Sequence, residues 1–171
     1  FLGESGVTPE QADEQLEILT ATGCFDYFNL TRGGYHTLHM AIPPMDSPHG
    51  GYVEYGHRAR KIVGNRAKLF LVGRVTGLDE AEAVLQSGAA DMVAMTRAQF
   101  ADPHLVKKTK EGRGQEIIHC IGANECVARI FDNRPAACLV NPTTGREERW
   151  GPGTLLPVSP PEKKKIIIVG G

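Results

Sequence analysis

Cys120, Cys126 and Cys138 fall within one stretch, HCIGANECVARIFDNRPAACLVNP, at residues 119–142. Thiolates are soft ligands, and three of them separated by a turn of helix and a short connection can converge on one soft metal or an iron–sulfur cluster. Ala123 stands where a fourth thiol would complete the set. A zinc site closed by Cys120, Cys126, Cys138 and His119 is the rival. Three buried thiols packed as small apolar groups are the plain alternative, because free cysteine is among the most buried residue types.

Two dipeptides offer a different chemistry. Gly73-Arg74 follows the apolar run LFLV, and Thr96-Arg97 follows DMVAM. Glycine lets a phosphate approach the backbone, threonine offers a hydroxyl and an N–H, and an arginine fork can grip phosphate oxygens in pairs. One arginine after a strand is commonly a salt-bridge partner only; the repetition at equivalent places is what points to phosphate. A third group, Tyr35, His36, His39 and His49, lies in a loop rich in Gly, Pro and His. Imidazoles there could move protons near neutral pH, or the loop could simply be a histidine-rich surface.

The elements that must position these residues can be read from the pattern. In TPEQADEQLEILTATG, Thr8 is an N-cap, Pro9 takes the first helical position, Gln11 completes a capping box and Gly23 can end the helix. FDYFNL (25–30) reads as a buried strand, with Cys24 just before it expected in the core, and a long loop follows through residue 51. GYVEYGHRARKIV then reads as a helix, 67–72 as a strand, GLDEAEAVLQSG as a helix and 91–95 as a strand. DPHLVKKTKEG closes the series as a helix capped by Asp102, with Pro103 at its first position and Gly112 at its end. Strands alternating with amphipathic helices predict an α/β fold with a parallel sheet. Three such units do not close a barrel, but phosphate-type residues after successive strands suit the active end of one. One more helix, ANECVARIF, a Pro/Gly-rich linker and the strand-like IIIVGG follow; the last could open a G-x-G-x-x-G dinucleotide fingerprint or be a plain apolar strand.

Composition narrows the partners. The chain has 171 residues, 41% hydrophobic and 23% charged, with a net charge of −1. That is enough apolar content for a core, and the charge draws neither nucleic acid nor an anionic membrane surface, so a small-molecule substrate is expected. No apolar run approaches the ~20 residues of a membrane span and no signal peptide is visible, so a reducing cytoplasm is the default expectation. The first residue is not Met and the last are two glycines, from which the chain is expected to be a fragment.

The segments LVGRVTGLDEAEAVLQSGAADMVAMTRAQFADPHLVKK, GRGQEIIHCIGANECVARIF, CLVNPTTGRE and KKKIIIVGG together resemble the NADH:flavin oxidoreductase family. That family includes the old yellow enzymes and, in its multidomain branch, 2,4-dienoyl-CoA reductase and trimethylamine dehydrogenase. The resemblance implies the C-terminal part of an FMN-binding TIM (β/α)8 barrel at 1–112 and an iron–sulfur-type cysteine segment at 113–145. It implies a linker at 146–165 and, at 166–171, the first strand of a dinucleotide-binding domain that would bind FAD or NAD(P)H. It further implies that Gly73, Arg74, Thr96 and Arg97 hold the FMN phosphate, that His36 is the active-site histidine, and that Cys120, Cys126 and Cys138 are cluster ligands. The activity implied is transfer of reducing equivalents from NAD(P)H to an unsaturated carbonyl or enoyl substrate through flavin, with the fragment inactive alone. Ala123 departs from the family pattern, so the fourth ligand would be His119, Asn124 or solvent, or the site would hold a smaller cluster, or the segment would carry no cluster and be structural. An amine dehydrogenase-like activity is the other alternative, though the acid expected for it is not apparent.

Overall fold

A computed structural model of the protein describes residues 6–154, 156–157, 159–160 and 163–169. Helix α1, Pro9–Ala21, starts where the capping box predicts: Thr8 Oγ1 accepts the Gln11 N–H at 3.2 Å and Gln11 Oε1 accepts the Thr8 N–H at 2.9 Å. Three strands follow in the predicted order, β1 (Tyr27–Leu30), β2 (Lys68–Leu71) and β3 (Met92–Val93). All pair in parallel in the order β1-β2-β3, with Tyr27 opposite Lys68, Leu30 opposite Leu71 and Phe70 opposite Met92. Helices α3 (Val53–Val63) and α4 (Leu78–Gln86) make the crossovers, and a short helix α2 (Leu38–Ala41) interrupts the long loop.

The core lies on one face of this sheet. Leu69 and Leu71 alternate inward from β2 and pack against Val63 and Ala59 of α3 and Ala81 and Val84 of α4. The opposite face is open among the described residues: Tyr27 is 54% exposed and Met92 46%, and the Tyr27 and Phe70 rings stack at 4.6 Å. Strand β1 is therefore not the buried strand expected, because it is an edge strand with only one face covered. Cys24, just before it, is exposed and not core.

Other expectations are corrected beyond β3. That strand is two residues long, and Thr96-Arg97 begin helix α5 (Thr96–Ala101) instead of forming a loop. Helix α6 spans Leu105–Lys110, so Pro103 is not its first residue; Asp102 still acts at its entry, accepting the His104 N–H at 2.9 Å. Asp102 is 2% exposed, pairs with Lys108 Nζ at 2.6 Å and accepts the Ile118 N–H at 3.0 Å. It thereby anchors the start of the cysteine segment. The end of that segment is anchored by Asn141 and Thr144, which both donate to the Phe100 carbonyl, at 3.0 and 2.7 Å. Between the anchors lies α7 (Glu125–Phe131), and a short α8 (Glu147–Trp150) sits in the linker. Ile166–Val169 form no strand and are 80–92% exposed, since no neighbouring strand among the described residues completes a ladder there; Gly170 and Gly171 lie outside the described residues. No helix among the described residues is long and apolar enough to cross a membrane.

Candidate functional site

The two dipeptides meet. A cavity of about 290 Å³ at the C-terminal ends of β2 and β3 is lined by Gly73, Arg74, Thr96 and Arg97, with Pro43 and Cys120 on its other walls. Parallel strands deliver their following loops to one end of the sheet, so residues separated in the chain converge there.

Local packing shapes each contributor. Gly73 has φ 130°, and a Cβ there would lie 2.8 Å from Cγ of Tyr52. Only glycine lets the end of β2 lie on that ring. Tyr52 is 3% exposed and its hydroxyl donates to the Met40 carbonyl, which ties α2 to the same corner. Burial pushes its phenol up, so it stays a neutral donor. Arg74 is left-handed at φ 57°, unusual for a side chain with a Cβ. Its Nε is buried without a hydrogen-bond partner. Such a donor is costly unless an acceptor arrives.

The long loop closes over this corner through His49, Thr76 and Glu80. His49 Nδ1 lies 2.7 Å from Glu80 Oε1, and the Thr76 N–H donates to Glu80 Oε2 at 2.8 Å. Burial pushes the Glu80 carboxyl up, but the donors on Thr76 and His49 outweigh it and hold the group below its ordinary value. His49 is thus a structural tether. His36 is exposed on the turn Tyr35–Thr37 and does not line the cavity.

The three cysteines also come together, around a second, smaller cavity of about 20 Å³ shared with Ala123, Asn124 and Arg97. Burial pushes the Cys126 thiol up; the Val127 N–H opposes this, and neighbouring Cys120 and Cys138 reinforce it. Neither expected fourth ligand is available. His119 Cε1 lies 3.9 Å from the Cβ position of Gly77 and does not line the thiol cavity, while both ends of the Asn124 amide are already hydrogen-bonded, to Arg97 and to the Ile42 carbonyl. Among the described residues no group of three His, Cys, Asp or Glu side chains could hold a metal ion. The space matches about one water molecule. As folded, the segment does not fit a four-iron cluster, whereas the orphaned Arg74 donor beside Arg97 and Thr96 fits a phosphate.

Gly122 was not anticipated at the wall of the thiol cavity, and Asn124 was expected there only as a cluster ligand. Both are left-handed, at φ 75° and 57°. A glycine and an asparagine spaced by one residue ahead of a helix were the available signal, since these types favour that backbone region.

No family model matches the chain. It is 30% identical over 97% of its length to N,N-dimethylglycine/sarcosine dehydrogenase of Chromohalobacter salexigens, covering 24% of that protein. It is 33% identical over 99% of its length to a multifunctional alkene reductase/demethylase OYE of Caballeronia cordobensis, again covering 24%. Among solved structures, 2-naphthoyl-CoA reductase in complex with 2-naphthoyl-CoA superposes with a TM-score of 0.74 at 30% identity, over 88% of this chain and 22% of that one. The chain thus spans about a quarter of the length of these relatives.

Proposed function

Because the chain belongs to the NADH:flavin oxidoreductase family that includes the old yellow enzymes, we propose that it forms the phosphate-binding corner of an FMN-dependent oxidoreductase barrel. The observation that carries this reading is the single cavity shared by Gly73, Arg74, Thr96 and Arg97, with the buried Nε of Arg74 lacking a partner. FMN, when bound, supplies hydride transfer between NAD(P)H and an unsaturated carbonyl or enoyl substrate. Arg74 and Arg97 would neutralise the phosphate and hold it in register. Thr96 would donate its hydroxyl, and Gly73 would let the anion reach the backbone. The Ile42-Pro43 wall would exclude water from the grip. His36 is assigned to proton delivery at the substrate on the strength of its motif alone.

The similarity to an amine-oxidising relative favours one further reading, oxidation of a secondary or tertiary amine by the same flavin. Spectra of anaerobically purified protein, at the full length of its gene product, test both. A flavin band that bleaches with NAD(P)H and returns on adding an enone or enoyl thioester supports the main reading. A band bleached by an N-methyl amine supports the other, and a colourless protein rejects both.

The thiolates of Cys120, Cys126 and Cys138 would hold an iron–sulfur centre only if the segment opens around them, and such a group would supply one-electron transfer. The packing around the thiols favours a structural segment. Iron and sulfide analysis of the same sample discriminates: about four irons per chain overturns the structural reading.

A further inference from the structure

The cysteine segment touches both arginines of the cavity. Gly122 packs so closely that a Cβ on it would lie 3.1 Å from Arg74 Nη2. Asn124 reaches Arg97: its Oδ1 accepts from Arg97 Nη1 at 2.5 Å while its Nδ2 donates to the Ile42 carbonyl at 3.0 Å. Arg97 Nη1 also donates to the Pro43 carbonyl at 2.8 Å. A closed hydrogen-bonded set therefore joins β3's following helix, the long loop and the cysteine segment. Its chemistry dictates the residue type. A guanidinium only donates and a carbonyl only accepts, so the bridging side chain must accept at one end and donate at the other. An amide does both; a carboxylate cannot donate to Ile42 and would set a negative charge against any bound anion.

Both of these hydrogen bonds leave from Arg97 Nη1 and the residue lines the shared cavity, so the set does not engage its Nε and Nη2 donors. We infer that Asn124 is a positioning residue for the FMN phosphate, fixing the Arg97 fork, and that the cysteine segment is the far wall of the phosphate site. The inference rests on reading the cavity as a phosphate site. It requires no metal, and it gives residues 120–126 a role in flavin binding that follows from the contacts of Gly122 and Asn124. By linkage, whatever orders this segment tightens flavin binding, and bound flavin orders the segment in return.

The test uses apoprotein of the full gene product, titrated with FMN and with riboflavin, which lacks the phosphate. Asn124→Gly is the informative variant, because glycine keeps the left-handed backbone while deleting the amide. FMN affinity should fall about tenfold while riboflavin affinity is unchanged. Asn124→Asp, which keeps the shape, should also weaken FMN selectively. The inference is overturned if either variant keeps the wild-type preference for FMN, or if both flavins are lost equally, which would mark a merely structural role. If wild-type apoprotein shows no preference for FMN over riboflavin, the phosphate reading itself fails and takes the inference with it.

Discussion

Arg74 and Gly122 lie side by side: the guanidinium Nη2 of one is 3.1 Å from where a Cβ on the other would stand. That Cβ would also meet Met45 Cα at 3.0 Å, and the φ of 75° is one that side chains rarely adopt. Gly122→Ala should therefore cost about 1–3 kcal/mol of stability, and it should push the arginine aside. Urea denaturation reports the first effect, and loss of bound flavin at a urea concentration where the protein is still folded reports the second.

Arg74→Lys keeps the charge but loses the fork and the buried Nε. If that nitrogen meets a phosphate oxygen, FMN affinity should drop about 10- to 100-fold. Flavin retained through gel filtration is a sufficient readout, and undiminished retention would show that Arg74 does not bind the phosphate.

Asp102 joins three elements at once, through Lys108, the His104 N–H and the Ile118 N–H. Asp102→Ala strands a mostly buried ammonium and frees the start of the cysteine segment. A loss of about 3–5 kcal/mol is expected in chemical denaturation. Double replacement with Lys108→Met should recover part of it, because the unpaired charge goes too.

Acid should weaken the sheet through Asp91. Burial alone would push this carboxyl up, but Arg60, the Leu69 N–H and Lys68 pull it down to about 2 from 3.8. Its folded value lies below its unfolded one, so its stabilisation is complete above about pH 4 and is lost as pH falls toward 2. Because the carboxylate is largely solvated, screening reduces the contribution to about 1 kcal/mol or less. Asp91→Asn should flatten the stability profile across that window; an unchanged slope would show that other carboxylates carry it.

Ala123→Cys supplies the missing thiol at the wall of the small cavity. Under anaerobic reconstitution the variant should still load far fewer than about four irons per chain, because the thiols enclose space for about one water molecule. Loading of about four irons by the variant would show that the segment opens around the thiols and would overturn the structural reading.

Much of the architecture was legible from local pattern. The Thr8 and Gln11 capping box, the alternation behind Leu69 and Leu71, and the order of strands and helices all reflect interactions within a few residues of one another. The Gly73-Arg74 and Thr96-Arg97 pairs were legible for the same reason, since parallel strands bring their C-terminal ends to one side. What failed were statements about surroundings. Phe28 and Leu30 pack inward but Tyr27 does not, because β1 is an edge strand with one open face. Ile166–Val169 have strand-forming side chains but no neighbour to pair with.

The amino-acid sequence by itself determined the class of fold, which follows from short-range periodicity, and the family, which rests on the resemblance of whole segments; it also placed Gly73, Arg74, Thr96 and Arg97 at equivalent strand ends. Only the tertiary structure decided that the thiols of Cys120, Cys126 and Cys138 enclose little space, that His119 and Asn124 are not spare ligands, and that Asn124 holds Arg97. Those outcomes depend on contacts between segments distant in the chain, where the energy of each contact is set by the packing of everything around it and leaves no local trace.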